Sequence, residues 1–243
     1  MIEITSLDMI VPAAGIGKRM KSVVPKQYLK IFDRTVLEHT VNTLLSSHYC
    51  NRVIVAVRDD DPYFGKLGIC QNPRVKVVTG GAERVDSVLS GLREAKTEWV
   101  LVHDAARPCL TQTDLNVLIE KSLQVDGGIL GCAVRDTMKR TDERNGIIHT
   151  VERKLMFRVK HKFSVERKLM FHALTPQMFR REQLIKAVIK ALEDGVSVTD
   201  ESSAMEYSGY KPLLVEGRAD NIKITQPADL KMAEFIISSM VEG

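Results

Sequence analysis

Four cations follow the first apolar run of the chain. Lys18, Arg19, Lys21 and Lys26 crowd the stretch that begins with Pro12-Ala13-Ala14-Gly15-Ile16-Gly17. Small residues let a backbone approach phosphate oxygens closely. Clustered ammonium and guanidinium groups suit a polyanion such as a triphosphate. Two common phosphate loops are excluded by residue type. The dinucleotide fingerprint needs a third Gly or Ala where Met20 stands. The P-loop needs Ser or Thr after Gly-Lys, where Arg19 stands. A run of charges also suits a plain solvated face, and spacing alone leaves both readings open.

Further polar stations sit just past apolar runs. Gly80-Gly81-Ala82-Glu83-Arg84, with Ser87 beyond, is compatible with a plain turn or with room for a flat base. In His103-Asp104-Ala105-Ala106-Arg107-Pro108, the Asp104 carboxylate could approach a phosphate-bound Mg²⁺ or cap a turn. The other stations are Asp136-Thr137, Thr175-Pro176-Gln177, Thr199-Asp200-Glu201 and Asn221-Ile222-Lys223. Thr199 also has a local reading, as the N-cap of a helix ending near Gly209.

The elements that must position these residues follow from periodicity. Short, nearly continuous apolar runs predict strands buried on both faces at Asp8–Pro12, Arg52–Val57, Val75–Thr79, Trp99–His103, Ile129–Val134 and Ile222–Thr225. Helical stripes lie between them: Leu37, Val41, Leu44, Leu45; Val85, Val88, Leu89, Leu92; and Leu115, Leu118, Ile119, Leu123. Pro227 opens a last helix, where its missing N–H costs nothing. Such alternation predicts an α/β fold with a mostly parallel sheet and helices on both faces. Ligands of such sheets bind at the carboxyl ends of strands, where the stations fall. One domain spanning 1–243 is expected, with a charged excursion at about 135–172 that carries the hairpin signal Asn145-Gly146.

Composition removes other classes. No segment approaches ~18 consecutive apolar residues, so no membrane partner is expected. Met1 to Asp8 lacks a basic lead and does not read as a signal peptide, which points to the cytoplasm. The four cysteines match no zinc or redox spacing, and the six histidines form no metal-ligand pair. A net charge of +4 fits acidic small substrates, while an aromatic content of 5% leaves few platforms for stacking nucleic-acid bases.

Taken in order, these stations resemble the 2-C-methyl-D-erythritol 4-phosphate cytidylyltransferases of isoprenoid precursor synthesis, over essentially the whole chain. The resemblance rests on Pro12-Ala13-Ala14-Gly15-x-Gly17-x-Arg19-Met20, Pro25-Lys26-Gln27-Tyr28, Leu37-Glu38-His39, Gly80-Gly81-x-Glu83-Arg84-x-x-Ser87-Val88 and His103-Asp104-Ala105-Ala106-Arg107-Pro108. It continues through Arg135-Asp136-Thr137-Met138-Lys139-Arg140, His172-Ala173-Leu174-Thr175-Pro176-Gln177, Thr199-Asp200-Glu201, Leu214-Val215-Glu216-Gly217 and Asp220-Asn221-Ile222-Lys223. It implies a Rossmann-like nucleotidyltransferase fold with a protruding β-arm, a homodimer joined by swapped arms, and a Mg²⁺-dependent transfer of CMP from CTP. It further implies that Pro12, Ala13, Ala14, Gly15, Gly17, Gly81, Ala82 and Ser87 contact CTP, with Asp104 and Ala105 nearby. By the same resemblance, Arg107, Thr137, Thr175, Thr199 and Lys223 would belong to the polyol-phosphate pocket, and an arm Arg would enter the partner's site.

The mechanism expected of such a family is in-line attack by the acceptor phosphate on the α-phosphorus, with positioning and charge as the protein's contribution. Arg19 and Lys26 would meet charge on the triphosphate, and Lys223 with the arm Arg would hold the acceptor. The sequence departs from the family pattern in the arm. Val151-Glu152-Arg153-Lys154-Leu155-Met156-Phe157 recurs as Val165-Glu166-Arg167-Lys168-Leu169-Met170-Phe171. Arg153 keeps the family's distance from Thr137 and Arg167 its distance to Thr175, so either could be the arm Arg. The turn at Asn145-Gly146 fixes register just beyond it, which favours Arg153. Three rivals remain: a ribitol 5-phosphate cytidylyltransferase, a nicotinamide-dependent oxidoreductase and a nucleic-acid-binding protein. Asp136-Thr137-Met138-Lys139 counts against the first, the missing third Gly against the second, and the lack of a recognised binding motif against the third.

Overall fold

Leu7–Pro12 (β1) is buried along all but its last residue, as a strand with helices on both sides must be. The computed structural model describes residues 6–15, 20, 23–151 and 170–241. β1 is followed by the short hairpin strands Lys30–Ile31 (β2) and Arg34–Thr35 (β3), then by helix α1, Val36–Leu45. Thr35 and Glu38 close a capping box at its start: Glu38 N–H donates to Thr35 Oγ1 at 3.2 Å, and Thr35 N–H to Glu38 Oε2 at 2.9 Å. The chain continues through β4 (Cys50–Val57), β5 (Val75–Thr79), α2 (Arg84–Glu94), β6 (Trp99–Val102), α3 (Gln112–Ser122) and β7 (Gly128–Ala133). A hairpin of β8 (Lys139–Thr141) and β9 (Ile147–Thr150) comes next, then β10 (Phe171–Arg180), α4 (Arg181–Glu193), α5 (Glu201–Tyr207), β11 (Leu213–Glu216) and α6 (Pro227–Val241).

The main sheet has seven strands in the order β11-β7-β10-β6-β1-β4-β5. Only β10 runs against its neighbours β6 and β7. β4 and β6 pair in parallel on opposite sides of β1, so the chain reverses its direction of winding between β1 and β6. The carboxyl ends of those two strands therefore flank a crevice.

Period-two alternation splits the strand residues between two cores. Met9, Val11, Val53, Val55 and Leu101 face the layer of α1 and α3, with Leu37, Val41, Leu44, Leu115 and Leu118. Ile10, Ile54, Val100 and Val102 face the layer of α2, α4 and α5. Each such aliphatic side chain, fully buried, contributes about 1.5–3 kcal/mol. A third cluster packs Ile31, Val36, Ala106 and Ile224 against Ala233 and Ile236 of α6.

Several expectations need correction. Ile222–Thr225 is not a strand: the segment is fastened instead by Ile224 N–H donating to Ala106 O at 2.9 Å and by the side of Ile224 facing α6. Asp200, not Thr199, caps α5, accepting Ser203 N–H at 2.9 Å. β10 escaped the apolar-run criterion because His172, Pro176 and Gln177 interrupt it. β11, at four residues, is too short to stand out. The Asn145-Gly146 turn does form, with Asn145 at φ +63° and Asp142 Oδ1 accepting Arg144 and Gly146 N–H. Phe171 and His172 pair with β7, so the excursion closes at Met170 rather than at residue 172. Among the described residues no helix is long and apolar enough to cross a membrane.

Candidate active site

A cavity of about 290 Å³ opens at the crevice between β1 and β6. Three loops build it, each leaving the carboxyl end of a parallel strand, with Lys26, Gln27 and Lys223 along its rim.

The loop after β1 contributes Pro12, Ala13, Ala14 and Gly15. Its shape is set from behind by Gln27, a buried residue of the 3-10 turn Lys26–Tyr28. The Gln27 amide donates to Ala13 O at 2.7 Å and to Gly15 O at 2.9 Å. A side chain on Gly15 would meet no described atom within 4 Å, so packing does not require glycine there. Open space at this position suits the approach of a ligand. Lys26 donates through Nζ to Ile224 O at 2.8 Å, tying this loop to the C-terminal segment. Gly17 and Arg19 lie outside the described residues.

The loop after β5 brings Gly81, Ala82, Glu83 and Arg84, with Ser87 one turn into α2. Here packing does require glycine. A Cβ on Gly81 would stand 2.2 Å from Asp86 Cβ, and one on Gly80 would stand 2.8 Å from Ala14 Cβ. Ser87 Oγ accepts Gly81 N–H at 3.2 Å, and Asp86 Oδ2 accepts Glu83 N–H at 2.9 Å. Both contacts draw the loop onto the first turn of α2, whose free N–H groups favour anions.

The loop after β6 holds the electrostatic centre. Asp104 is buried and meets three cations: Arg84 Nε at 3.0 Å, Lys223 Nζ at 2.8 Å and Arg107 Nε at 3.5 Å. Burial pushes its carboxyl up, but the facing Arg84, Lys223 and Arg107 outweigh burial and hold it below the ordinary carboxylate value. Arg84 also forks onto Glu201, with NH1–Oε1 at 2.6 Å and NH2–Oε2 at 3.0 Å. Burial opposes the Arg84 charge, and Glu201 and Asp104 more than restore it.

His103 sits beneath this centre, fully buried. Its Nε2 faces Arg107 O at 3.0 Å, an acceptor only, so Nε2 carries the proton. Nδ1 then accepts the Thr175 hydroxyl at 3.0 Å, and the same hydroxyl oxygen accepts Asp104 N–H at 3.0 Å. Burial lowers the His103 pKa to about 4, which keeps the ring neutral.

Of the expected CTP contacts, Pro12, Ala13, Ala14, Gly15, Gly81, Ala82, Ser87, Asp104 and Ala105 all line the cavity, together with Lys26 and Lys223. Of the expected acceptor residues among those described, Lys223 alone lines it. Arg107 and Thr175 are buried behind Asp104, with their polar groups engaged on Asn221 O and His103. Thr137 and Thr199 are exposed and outside the cavity lining. Arg153 and Arg167 lie outside the described residues. Sequence reasoning included Gln27, Arg84, Glu201 and Asn221 in its motifs but gave them no role in the site. Arg84 follows a Gly-Gly turn and Glu201 ends the Thr199-Asp200-Glu201 station, but nothing local pairs the two, which stand more than a hundred residues apart.

The donors present do not make a protein-held Mg²⁺ site. Glu83 and Asp104 are the acids of the lining, both Asp104 oxygens face cations, and no group of three or more His, Cys, Asp or Glu is gathered among the described residues. The expectation of Asp104 as a metal ligand thus finds its carboxylate already engaged by three cations.

A family model for 2-C-methyl-D-erythritol 4-phosphate cytidylyltransferase matches residues 7–163 and 162–239. The two stretches meet between the copies of the repeated heptapeptide. The 2-C-methyl-D-erythritol 4-phosphate cytidylyltransferase of Vibrio vulnificus (strain CMCP6) is 50% identical over 240 residues, 96% of this chain and 95% of that protein. That of Vibrio cholerae serotype O1 is 51% identical over 238 residues, 96% and 97% of the two chains. A crystal structure of 4-diphosphocytidyl-2C-methyl-D-erythritol synthase superposes with a TM-score of 0.77 at 32% identity, over 96% of this chain and 99% of the other.

Proposed function

The chain belongs to the 2-C-methyl-D-erythritol 4-phosphate cytidylyltransferase family. From that premise we infer that it transfers CMP from CTP to 2-C-methyl-D-erythritol 4-phosphate in the non-mevalonate route to isoprenoid precursors. The observation that carries this reading is the cavity at the β1–β6 crevice, where both glycine loops meet Lys26, Arg84 and Lys223.

An oxygen of the acceptor phosphate attacks the α-phosphorus of CTP. The new P–O bond forms as the bond to the bridging α,β oxygen breaks, and pyrophosphate leaves with that electron pair. Gly81, Ala82 and Ser87 hold the cytosine, and the loop Pro12 to Gly17 meets the phosphates. Lys26 and Arg19 neutralise charge on the departing pyrophosphate. Lys223 holds the acceptor phosphate close to the triphosphate, with Thr137 and Thr199 reaching it from the surface. Arg107 and Thr175 act on the acceptor by fixing Asp104 from behind. Losing one such cation costs about 10²–10³ in rate, the usual loss for one preorganised donor. Magnesium enters as the counter-ion of the triphosphate, and no step is assigned to a metal held by the protein.

The active form is a homodimer in which the excursion between β7 and β10 crosses to the partner and supplies Arg153 or Arg167. Exposed Ile147 (65%) and Ile148 (59%) on the β8–β9 hairpin support that role, since a lone hairpin gains nothing by displaying them to water. Its nucleotide substrate assigns the enzyme to the cytoplasm, and no nucleic-acid or membrane partner is required.

The test is pyrophosphate release from CTP with methylerythritol phosphate, against ribitol phosphate as acceptor and ATP or GTP as donor. Turnover restricted to CTP and methylerythritol phosphate supports the assignment; equal use of a purine triphosphate or of ribitol phosphate sinks it. A chelator should abolish turnover and Mg²⁺ restore it. Arg153→Ala and Arg167→Ala, assayed as dimers, identify the arm Arg as the one whose loss removes activity.

A further inference from the structure

Glu201 is 2% exposed, does not line the cavity, and still belongs to its charge network. It opens α5, and that helix start is clamped to the sheet. Gln177 of β10, itself buried, donates to Asp200 Oδ2 at 2.9 Å and accepts Ser202 N–H at 2.9 Å. The carboxylate of Glu201 therefore has little freedom, and it spends both oxygens on Arg84.

Arg84 has one remaining link, Nε to Asp104 Oδ1 at 3.0 Å. Asp104 Oδ2 in turn holds Lys223 Nζ at 2.8 Å. Four segments distant in sequence are thus joined in one line, Glu201 to Arg84 to Asp104 to Lys223. The two cations of the line, Arg84 with 29% and Lys223 with 35% of the side chain exposed, line the cavity, while both acids are buried.

We propose that Glu201 is a positioning residue for the transfer, acting through Arg84 and Asp104 to aim the Lys223 ammonium. The proposal rests on the reading of Lys223 as the cation of the acceptor phosphate. The physical reason is competition for Asp104. While Glu201 occupies both terminal nitrogens of Arg84, that guanidinium offers Asp104 only Nε, and one carboxylate oxygen stays available to Lys223. Without the Glu201 charge, Arg84 turns its fork to the nearest remaining acid. A guanidinium forked on a carboxylate outcompetes a single ammonium, so Lys223 loses the contact that fixes its direction. The cluster also holds two acids against the three cations Arg84, Arg107 and Lys223. Neutralising one acid adds repulsion between cations in a partly desolvated site.

The experiment compares wild type with Glu201→Gln and Glu201→Asp. It reads kcat, the KM for each substrate and the melting temperature, and repeats the set with Lys223→Met. In Glu201→Gln the acceptor KM should rise by about tenfold or more, while the CTP KM moves by less than about threefold. Glu201→Asp keeps the charge with a shorter reach and should recover part of that loss. Lys223→Met should add almost nothing in the Glu201→Gln background, since the ammonium is already misaimed. An unchanged acceptor KM, or effects of the two substitutions that multiply, would overturn the proposal. If Glu201→Gln does not fold, Glu201→Asp with and without Lys223→Met decides by the same criteria. Absence of turnover in the wild type would instead refute the functional reading itself.

Discussion

Two glycines of the site answer to different causes, and substitution separates them. Gly81 is required by its own protein, since a Cβ there would stand 2.2 Å from Asp86 Cβ. Gly81→Ala should therefore displace the start of α2, lowering the melting temperature and activity together. Among the described residues nothing stands within 4 Å of a Cβ on Gly15. Gly15→Ala should leave the melting temperature unchanged and raise the KM for CTP, because the added methyl occupies room the phosphates need. Thermal melts beside steady-state kinetics check both; a Gly15→Ala enzyme with normal CTP KM would remove that loop from the phosphate site. His103 sets a pH limit at the same scale. Its folded pKa of about 4 lies below the ordinary 6.5. Between those values the unfolded chain takes up a proton and the folded one does not. Stability is thus complete above about pH 6.5 and falls, by up to about 3 kcal/mol, as pH drops towards 4. Urea unfolding at pH 7 and pH 5 should show this slope, and His103→Gln should flatten it.

At the scale of elements, the end of the sheet opposite the cavity is fastened by one acid. Asp8 of β1 is fully buried and accepts from Arg52 NH2 at 2.9 Å, Asn51 Nδ2 at 2.8 Å and Lys96 N–H at 2.7 Å. It thereby joins β1, β4 and the turn before β6, the strands whose other ends carry two of the site's loops. Burial raises its pKa, but those bonds outweigh burial and leave it lowered from 3.8. Its contribution is present above about that pH and lost only in stronger acid, below the window assigned to His103. Asp8→Asn leaves Arg52 without its buried partner and should cost roughly 3 kcal/mol. Chemical denaturation at pH 7 measures it, and a loss under about 1 kcal/mol would mean that Arg52 finds Glu94 a sufficient substitute.

For the whole molecule, the question is whether the hairpin joins two copies. Ile147→Glu with Ile148→Glu places charge on two exposed apolar residues of β9 that do not line the cavity. The pair should leave the fold intact, as judged by circular dichroism, and shift sedimentation from dimer to monomer. Activity should fall with it, if an arm Arg acts across the dimer. A monomeric enzyme with full activity would confine the chemistry to one chain.

The sequence determined what depends on local repetition and local chemistry. Buried strands such as β1, β4 and β6 announced themselves because both faces must be apolar, and α1, α2 and α3 because one face must be; β5 reads alike in sequence but lies at the sheet edge with none of its residues buried. The cavity residues were readable for a related reason. In a parallel sheet they follow the strands directly, so adjacency in sequence becomes adjacency in space. What lay beyond the sequence was everything decided by the antiparallel β10 and by the partners of charges. β10 mixes polar and apolar residues, because Gln177 serves α5 while Met178 and Phe179 serve the cores. Ile222–Thr225 has the composition of a strand, but Ile224 N–H is taken by Ala106 O and its side chain by α6. Asp104 could be read as a metal ligand or as a turn cap when only its neighbours in sequence were visible. Tertiary structure gave its two oxygens to Arg84, Arg107 and Lys223, drawn from three separate segments. A buried carboxylate is stabilised by whichever cations the fold brings within reach, and only the folding of the chain determines which those are.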